Sequence, residues 1–390
     1  MSDAPFDLND PNKTRVKRDD AWDRADLMGT GDGEGGDDDG HELDSHDNQE
    51  LHSKLMGHYQ NELDRQYDNR IQMAIDEDYY DSIQWSEQDA QEVRERNQVP
   101  IVYNVLSQSI NWIIGSEKRG RTDFRILPRE KNDAKPAERK TQLLKYLADV
   151  NRTVFHRSRA FEDATRVGIG WLEDGAQDDD EDEEVIYSRY ETWRNILWDS
   201  SSTEMDLSDA RYMYRSKWID ADVAIAMFPE RAGLIKRSAI ASDRLQYDAY
   251  HGDEAMDSQE NEIDMGLSSE SRLHMAERMR VRMIECWFRK PTNMNMLNGG
   301  SFHGQPYDQN NPVMVEEVKA GQAVVNSKLK MRMHCAVMTP EGLCYIAPSP
   351  YRHNRFPFTP IWGYRRGRDN LPYGVIRSLR DIQDLSLIHI

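Results

Sequence analysis

The sequence predicts an α+β protein, with clustered long helices and a separate region of antiparallel strands. Two observations carry this. Apolar residues recur at helical spacing from about residue 46 to 167, and short alternating segments take over from about residue 171 to 346. Elements grouped by type along the chain are the signature of that class. With 390 residues and 38% hydrophobic content, the chain is long enough for two or three domains and a sizeable core.

The net charge of −20 is unevenly placed. Residues 1–50 hold 16 acidic and 5 basic side chains, and the run 178–184 (DDDEDEE) adds seven acids. Outside these two stretches the chain is nearly balanced. Affinity for DNA comes largely from Lys and Arg displacing counterions from phosphate, so this composition argues against a module built to grip DNA and leaves room for a conduit through which DNA slides.

Residues 1–47 are rich in Asp and Gly and read as a disordered acidic tail, because they cannot bury enough apolar area to offset their ordering entropy. The stretch lacks GxxxxGK[ST] and a calcium-loop pattern, so neither a phosphate loop nor an EF-hand is expected. From about His46, Leu51, Leu55, Tyr59, Leu63, Tyr67, Ile71, Ile75 and Tyr79 recur every fourth residue, predicting one long helix. Four residues turn about 400°, so the stripe should drift by roughly 40° per step and face successive neighbours. Those neighbours lie either within the subunit or on an adjacent one. A second helix is expected over 88–97. A third follows Pro100, with Val102, Val105, Leu106, Ile110, Ile113 and Ile114 on one face and its end near Gly115.

A strand is expected over 122–127, with Lys118, Arg119, Arg121, Arg125 and Arg129 around it; helices follow over 136–150 and 154–167, then a glycine turn over 168–170. Strands are predicted over 171–173, 185–190, 195–198 and 212–218, with the acidic run 178–184 in a hairpin loop, and a short helix over 221–228. Residues 240–268 read as a linker. Strands return over 280–288, 314–318, 328–338 and 343–346, and a helix begins over 373–385. The expected organisation is therefore a tail (1–47), a helical and strand region (48–237), a linker with partial helix (238–280), a strand-rich region (281–372) and the start of a helix (373–390). At that point the chain reads as cut short, since no cap or stop signal ends it.

Templates for chemistry are missing. Ser200, Ser201 and Ser202 lack a GxSxG elbow. His353, Asp369 and Ser378 make no recognisable triad. Asp206 and Asp209 read as a turn before an aromatic strand rather than a metal site, and His41, His46, His52 and His58 lack partner ligands. Cys286, Cys335 and Cys344 are not in CxxC spacing and read as small buried hydrophobes. No enzyme, cofactor or metal is expected, and no apolar run is long enough to span a membrane. One cluster is informative. Arg352, Arg355, Arg365, Arg366, Arg368, Arg377 and Arg380 face a single nearby acid, Asp369, and alternate with Tyr351, Tyr364 and Tyr373. Arginine among aromatics is one way to meet nucleic acid; the other reading pairs these arginines with acidic neighbours on other elements or subunits. The residues taken as candidate DNA or subunit contacts are Arg352, Arg355, Arg365, Arg366 and Arg368.

Five segments, in order, resemble the portal protein family of short-tailed bacteriophages. They are NQVPIVYN (97–104) running on to RTDFRILP (121–128), AFEDATRVGIGW (160–171), LWDSSSTEMDLSDA (197–210), residues 281–290 with the pair Trp287 and Phe288, and FPFTPIWG (356–363) leading to YGVIR (373–377) and Asp381-Ile382-Gln383. The resemblance covers roughly residues 50–385; the acidic tail and the 178–184 run have no counterpart in it. It implies a homo-oligomeric ring, usually of twelve subunits, at one capsid vertex of the virion, assembled in the host cytoplasm. Double-stranded DNA would pass through without sequence-specific binding. A terminase packaging motor, coat, scaffold and tail adaptor proteins would be its partners. The family carries no catalytic residues. Another virion head–tail adaptor and a DNA-packaging enzyme are the competing readings; the second would need a phosphate loop or a carboxylate cluster.

Overall fold

A computed structural model describes residues 42–389 apart from 121–123, 130–132, 177–184, 243–279, 306, 309–310 and 352. The first long helix, α1 (His46–Tyr80), follows a 3-10 turn at Glu42–Asp44, so helical structure begins before residue 48, inside the stretch read as tail. The rest of that tail and the acidic run 178–184 lie outside the described residues. Four shorter helices follow: α2 (Glu87–Glu95), α3 (Val105–Arg119), α4 (Ala134–Val150) and α5 (Thr153–Arg166). Ser86 caps α2 and Asn104 caps α3, each accepting a backbone N–H three residues on. The third helix passes Gly115 without a break. Space around Gly115 is open, and the helix ends at Gly120, whose N–H reaches the carbonyls of Ser116 and Glu117. Among the described residues of the expected strand 122–127, residues 124–127 are in no strand, and the Ile126 N–H donates to Thr141 Oγ1 at 3.0 Å.

The strands form three antiparallel sheets. One has the order β2 (Ile186–Glu191), β1 (Ile169–Ala176), β8 (Phe358–Trp362). The largest is a meander of β3 (Ile196–Trp198), β4 (Tyr212–Asp220), β5 (Arg280–Gly299), β6 (Ala323–Thr339) and β7 (Gly342–Pro348). A two-stranded piece pairs β9 (Tyr364–Arg365) with β10 (Pro372–Tyr373). Helices α6 (Ala221–Met227), α7 (Ala232–Ser242), α8 (Pro312–Lys319) and α9 (Val375–His389) complete the described elements. Mixed helix and antiparallel sheet is the predicted class. The segment read as a strand at 314–318 is instead α8. Asn311 accepts the Val313 N–H, Pro312 occupies the first turn, and Met314 buries one face, which are helix-start signals that outweigh a short apolar run.

The main core lies between the two larger sheets. It holds Val167, Ile169, Trp171, Trp193, Ile196, Trp198, Met213, Trp287, Met333, Cys335 and Phe358, with Met73 and Ala74 of α1. A second core joins α6 and α7 to the sheet, and a third seats Leu55 and Tyr59 of α1 on Tyr214, Ile284, Cys286 and Ala336. All three cysteines are buried and free. Helix α1 therefore crosses the meander as a spine.

Its buried face departs from the expected drift. Leu55, Tyr59, Glu62, Gln66, Asn69, Met73 and Asp76 are buried in an alternation of four and three residues, with Arg70 and Ala74 buried beside them. That heptad spacing holds one line on a helix. The apolar series leaves this line, and Tyr67 is 40% exposed.

Candidate functional site

The polar residues on the buried line of α1 each meet a defined partner. Glu62 accepts from Gln66, the Ser200 N–H and Tyr212 Oη, the last at 3.0 Å. Gln66 donates to the Trp198 carbonyl at 2.7 Å, and Asn69 to the Pro372 carbonyl at 3.0 Å. Arg70, 2% exposed, donates to the carbonyls of Trp193, Arg194 and Ile196 and lies over the Trp193 ring. Asp76 takes ion pairs from Arg377 at 2.9 Å and Arg380 at 3.2 Å, both on α9. Burial pushes the Asp76 carboxyl up to about 6, and the two arginines only partly oppose this. The spine thus holds the loop after β2, the loop after β3 and helix α9 in register through polar contacts.

A second ionic group joins the sheets. Arg215 of β4, fully buried, reaches Glu285 of β5 at 2.5 Å, Glu173 of β1 at 2.8 Å and Glu191 of β2 at 3.4 Å. Its guanidinium sits over the Phe358 ring of β8. Lys217 approaches Glu191 at 2.9 Å; Trp287 Nε1 donates to Glu285 at 2.6 Å, and Tyr187 Oη to Glu173 at 3.2 Å. Burial disfavours the Glu191 anion, yet Lys217 and Arg215, with a hydrogen bond from Asn195, hold its carboxyl below the usual range. Every one of these carboxylates has a donor, which makes the group a structural clamp.

The arginine cluster divides three ways. Arg377 and Arg380 are consumed by Asp76, Asn69 and Gln72. Arg365 is also consumed: it donates to the Ser202 carbonyl at 2.9 Å, the Thr203 carbonyl at 3.3 Å and the Asn370 carbonyl at 3.0 Å, and stacks over Trp362. Arg366 pairs with Asp369 at 2.7 Å on the surface. Arg355 and Arg368 are exposed and form no ion pair among the described residues. Arg352 lies outside the described residues.

On either side of residue 352, Tyr351 and residues 353–355 are held by stacking and by bonds to β6. Tyr351 stacks between Trp287 and His353. Asn354, at φ +51°, accepts the Met333 N–H at 2.7 Å and donates to the Met331 carbonyl at 2.8 Å, extending the ladder of β6 past the end of β7. Arg289 of β5 lies over Phe356 and donates to the Ser208 carbonyl.

The loop at 199–210 is a turn, as its Asp spacing implied. Asp209 accepts from Ser202 Oγ, from the Thr203 N–H at 2.8 Å and from Thr203 Oγ1 at 3.1 Å. These bonds, acting against burial, hold its carboxyl at about 2. Asp199 caps Ser201 and Arg211. Among the described residues no group of His, Cys, Asp and Glu is arranged to hold a metal, and no helix is long and apolar enough to cross a membrane.

One part of the surface carries exposed apolar side chains. Val99, Ile101, Tyr103, Trp112, Phe124, Leu127, Leu143, Tyr146 and Phe155 are each more than half exposed, all on α3, α4, α5 and their connections. Isolated exposed apolar residues are normal; this many on one helical layer is above that expectation.

A search of curated proteins finds no match at the threshold used. A family model described as phage P22-like portal protein matches residues 56–386, from α1 through the meander to α9. On that match, spanning most of the chain and every sheet described above, the chain belongs to the P22-like portal protein family, a structural family of the phage capsid vertex.

Proposed function

We propose that this chain is the repeating subunit of a closed ring, of twelve copies, at one capsid vertex. Double-stranded DNA enters and leaves through the ring, and a terminase motor and later the tail proteins dock on it. The observation that carries the reading is the family match over residues 56–386. The helical layer agrees with it: its exposed Trp112, Phe124, Leu143 and Phe155 supply the area a neighbouring copy would cover. Coat and scaffold proteins are the other partners this reading expects, with assembly in the host cytoplasm.

In this role the side chains make and break no bonds. Work is done by rigidity, and the buried clamps around Arg215 and Asp76 supply it. Exposed Arg355, Arg366 and Arg368 are assigned to contacts with a neighbouring subunit or with DNA phosphate; Arg365 holds the 202–203 loop. Negative-stain electron microscopy of the purified chain tests the reading. Closed rings with an axial opening are expected, and only monomers at high concentration would count against it.

A further inference from the structure

Strands β5 and β6 outrun the sheet that contains them. β4 covers β5 only as far as Phe288, paired with Tyr212, and β7 covers β6 only from His334, paired with Pro348. Beyond those points the two strands continue as a pair from Lys290–Arg332 to Gly299–Ala323. At about 3.3 Å per residue this makes a ribbon on the order of 30 Å long. A lone two-stranded ribbon is marginal in water. This one is closed at its tip by a small core of Leu297, Met314 and Ala323, with α8 packed on it.

The ribbon's charge is one-sided. Residues directly opposite share a face, and Lys290 faces Arg332, Thr292 faces Lys330 and Met294 faces Lys328. One face therefore carries Lys290, Lys328, Lys330 and Arg332, successive cations along β6 being about 7 Å apart. Neither strand holds an Asp or Glu between 289 and 299 or between 323 and 333. None of the four cations forms an ion pair among the described residues. Like charges directly opposite destabilise a strand pair, so Lys290 against Arg332 is a cost that folding alone does not explain. At the ribbon's base Asn354 bonds to the other edge of β6, and the residue after it, Arg355, is exposed.

We propose that this face of the β5–β6 ribbon docks on the phosphate backbone of duplex DNA. A row of long, mobile ammonium groups on a thin arm, with no base-reading residue pattern around it, suits sequence-independent phosphate contact. The identity of the polyanion rests on the portal reading; the unpaired cationic row does not.

The test is fluorescence anisotropy of a short random-sequence duplex titrated with the full chain at several salt concentrations. The chain carrying Lys290→Gln, Lys328→Gln, Lys330→Gln and Arg332→Gln is compared with one carrying Arg94→Gln, Lys135→Gln, Arg139→Gln and Lys140→Gln, exposed helix positions of equal charge. Four lost phosphate contacts lower the slope of log K against log salt by about 3–4, with roughly a tenfold or greater loss of affinity at low salt. The helix variant should bind like the unaltered chain. Equal losses in both variants, or no duplex binding by the unaltered chain, would overturn the proposal. So would polyglutamate displacing the duplex at equal charge concentration, which would make the partner an acidic polypeptide. Electron microscopy of both chains separates the two readings: rings in the unaltered chain, with duplex binding that the ribbon substitutions leave unchanged, sink this inference alone, whereas absence of rings in the unaltered chain sinks the portal reading.

Discussion

A Cβ built on Gly374 would lie 1.9 Å from the Arg166 carbonyl oxygen, so Gly374→Ala must push the start of α9 off the end of α5. Gly170 meets α5 at the same closeness, 1.8 Å from the Ala160 carbonyl. Overpacking of this kind costs about 1–3 kcal/mol, and urea denaturation of Gly374→Ala should show a loss in that range. Gly57 gives the opposite sign. It lies inside α1 with nothing within 4 Å of a built Cβ, so Gly57→Ala should gain about 0.5–1 kcal/mol. Asp163 of α5 makes a pH-dependent case. Burial pushes its carboxyl up to about 7, with Tyr190 Oη donating to it at 2.6 Å. The unfolded group titrates near 3.8, so between roughly pH 4 and 7 the unfolded chain loses a proton that the folded chain keeps. Stability contributed by this group is complete below that window and is lost as pH rises through it. Asp163→Asn removes the dependence while keeping a hydrogen-bonding partner for Tyr190. The variant should match the unaltered chain near pH 4 and exceed it above pH 7; a difference that does not change with pH would show that Asp163 titrates normally. Asp76, raised to about 6, contributes with the same sign in both proteins and so cancels in the comparison.

Between elements, the decisive contacts are polar, and this explains which parts of the fold could be read in advance. The long helix was legible from its apolar repeat, but the repeat coincides with the core-facing line only at Leu55 and Tyr59. Its core-facing line runs through Glu62, Gln66, Asn69 and Asp76, and hydrophobic periodicity is blind to buried polar residues. The glycine turn at 168–170, the meander strands and the turn at 199–210 were legible because Gly, alternation and Asp/Ser spacing act locally. Strand β8 was not, since Phe-Thr-Pro-Ile-Trp carries a proline. Pro360 is accommodated because β8 is an edge strand, bonded only to β1. The alternation Lys328, Lys330, Arg332 stands in the sequence, but only the structure shows that β5 and β6 outrun the sheet there and that Lys290, Lys328 and Lys330 are exposed. The Arg215 group is likewise four scattered charges until the two sheets face each other. Arg215→Met would leave Glu173, Glu191 and Glu285 buried without the guanidinium they share, with Lys217 still beside Glu191, and a loss of about 3–5 kcal/mol is expected on thermal or denaturant unfolding. Adding Glu285→Gln should recover part of that loss, because it removes one of the stranded anions; a double variant no better than the single would mean that packing, rather than charge, dominates the site.

At the scale of the whole molecule, rigidity and stickiness are segregated. The sheets and the α1 spine are cross-linked by the Arg215 and Asp76 groups, whereas the α3–α5 layer turns Trp112, 70% exposed, and Phe155, 63% exposed, to solvent. A subunit whose task is to hold a fixed angle to its neighbours needs this division: a stiff body to set the angle and an apolar flank to be covered. Head-to-tail contacts between unlike flanks of identical subunits generate rings when the rotation closes, and the area must come from surface the isolated chain leaves exposed. Trp112→Glu places a charge in that flank without touching the core, since the side chain is already in water in the single chain. The melting temperature of the variant monomer should therefore be unchanged, while sedimentation velocity should show a shift from ring to monomer. Closed rings persisting in Trp112→Glu at the same concentration would move the interface to another surface. A parallel loss of thermal stability would show instead that Trp112 supports the subunit's own fold.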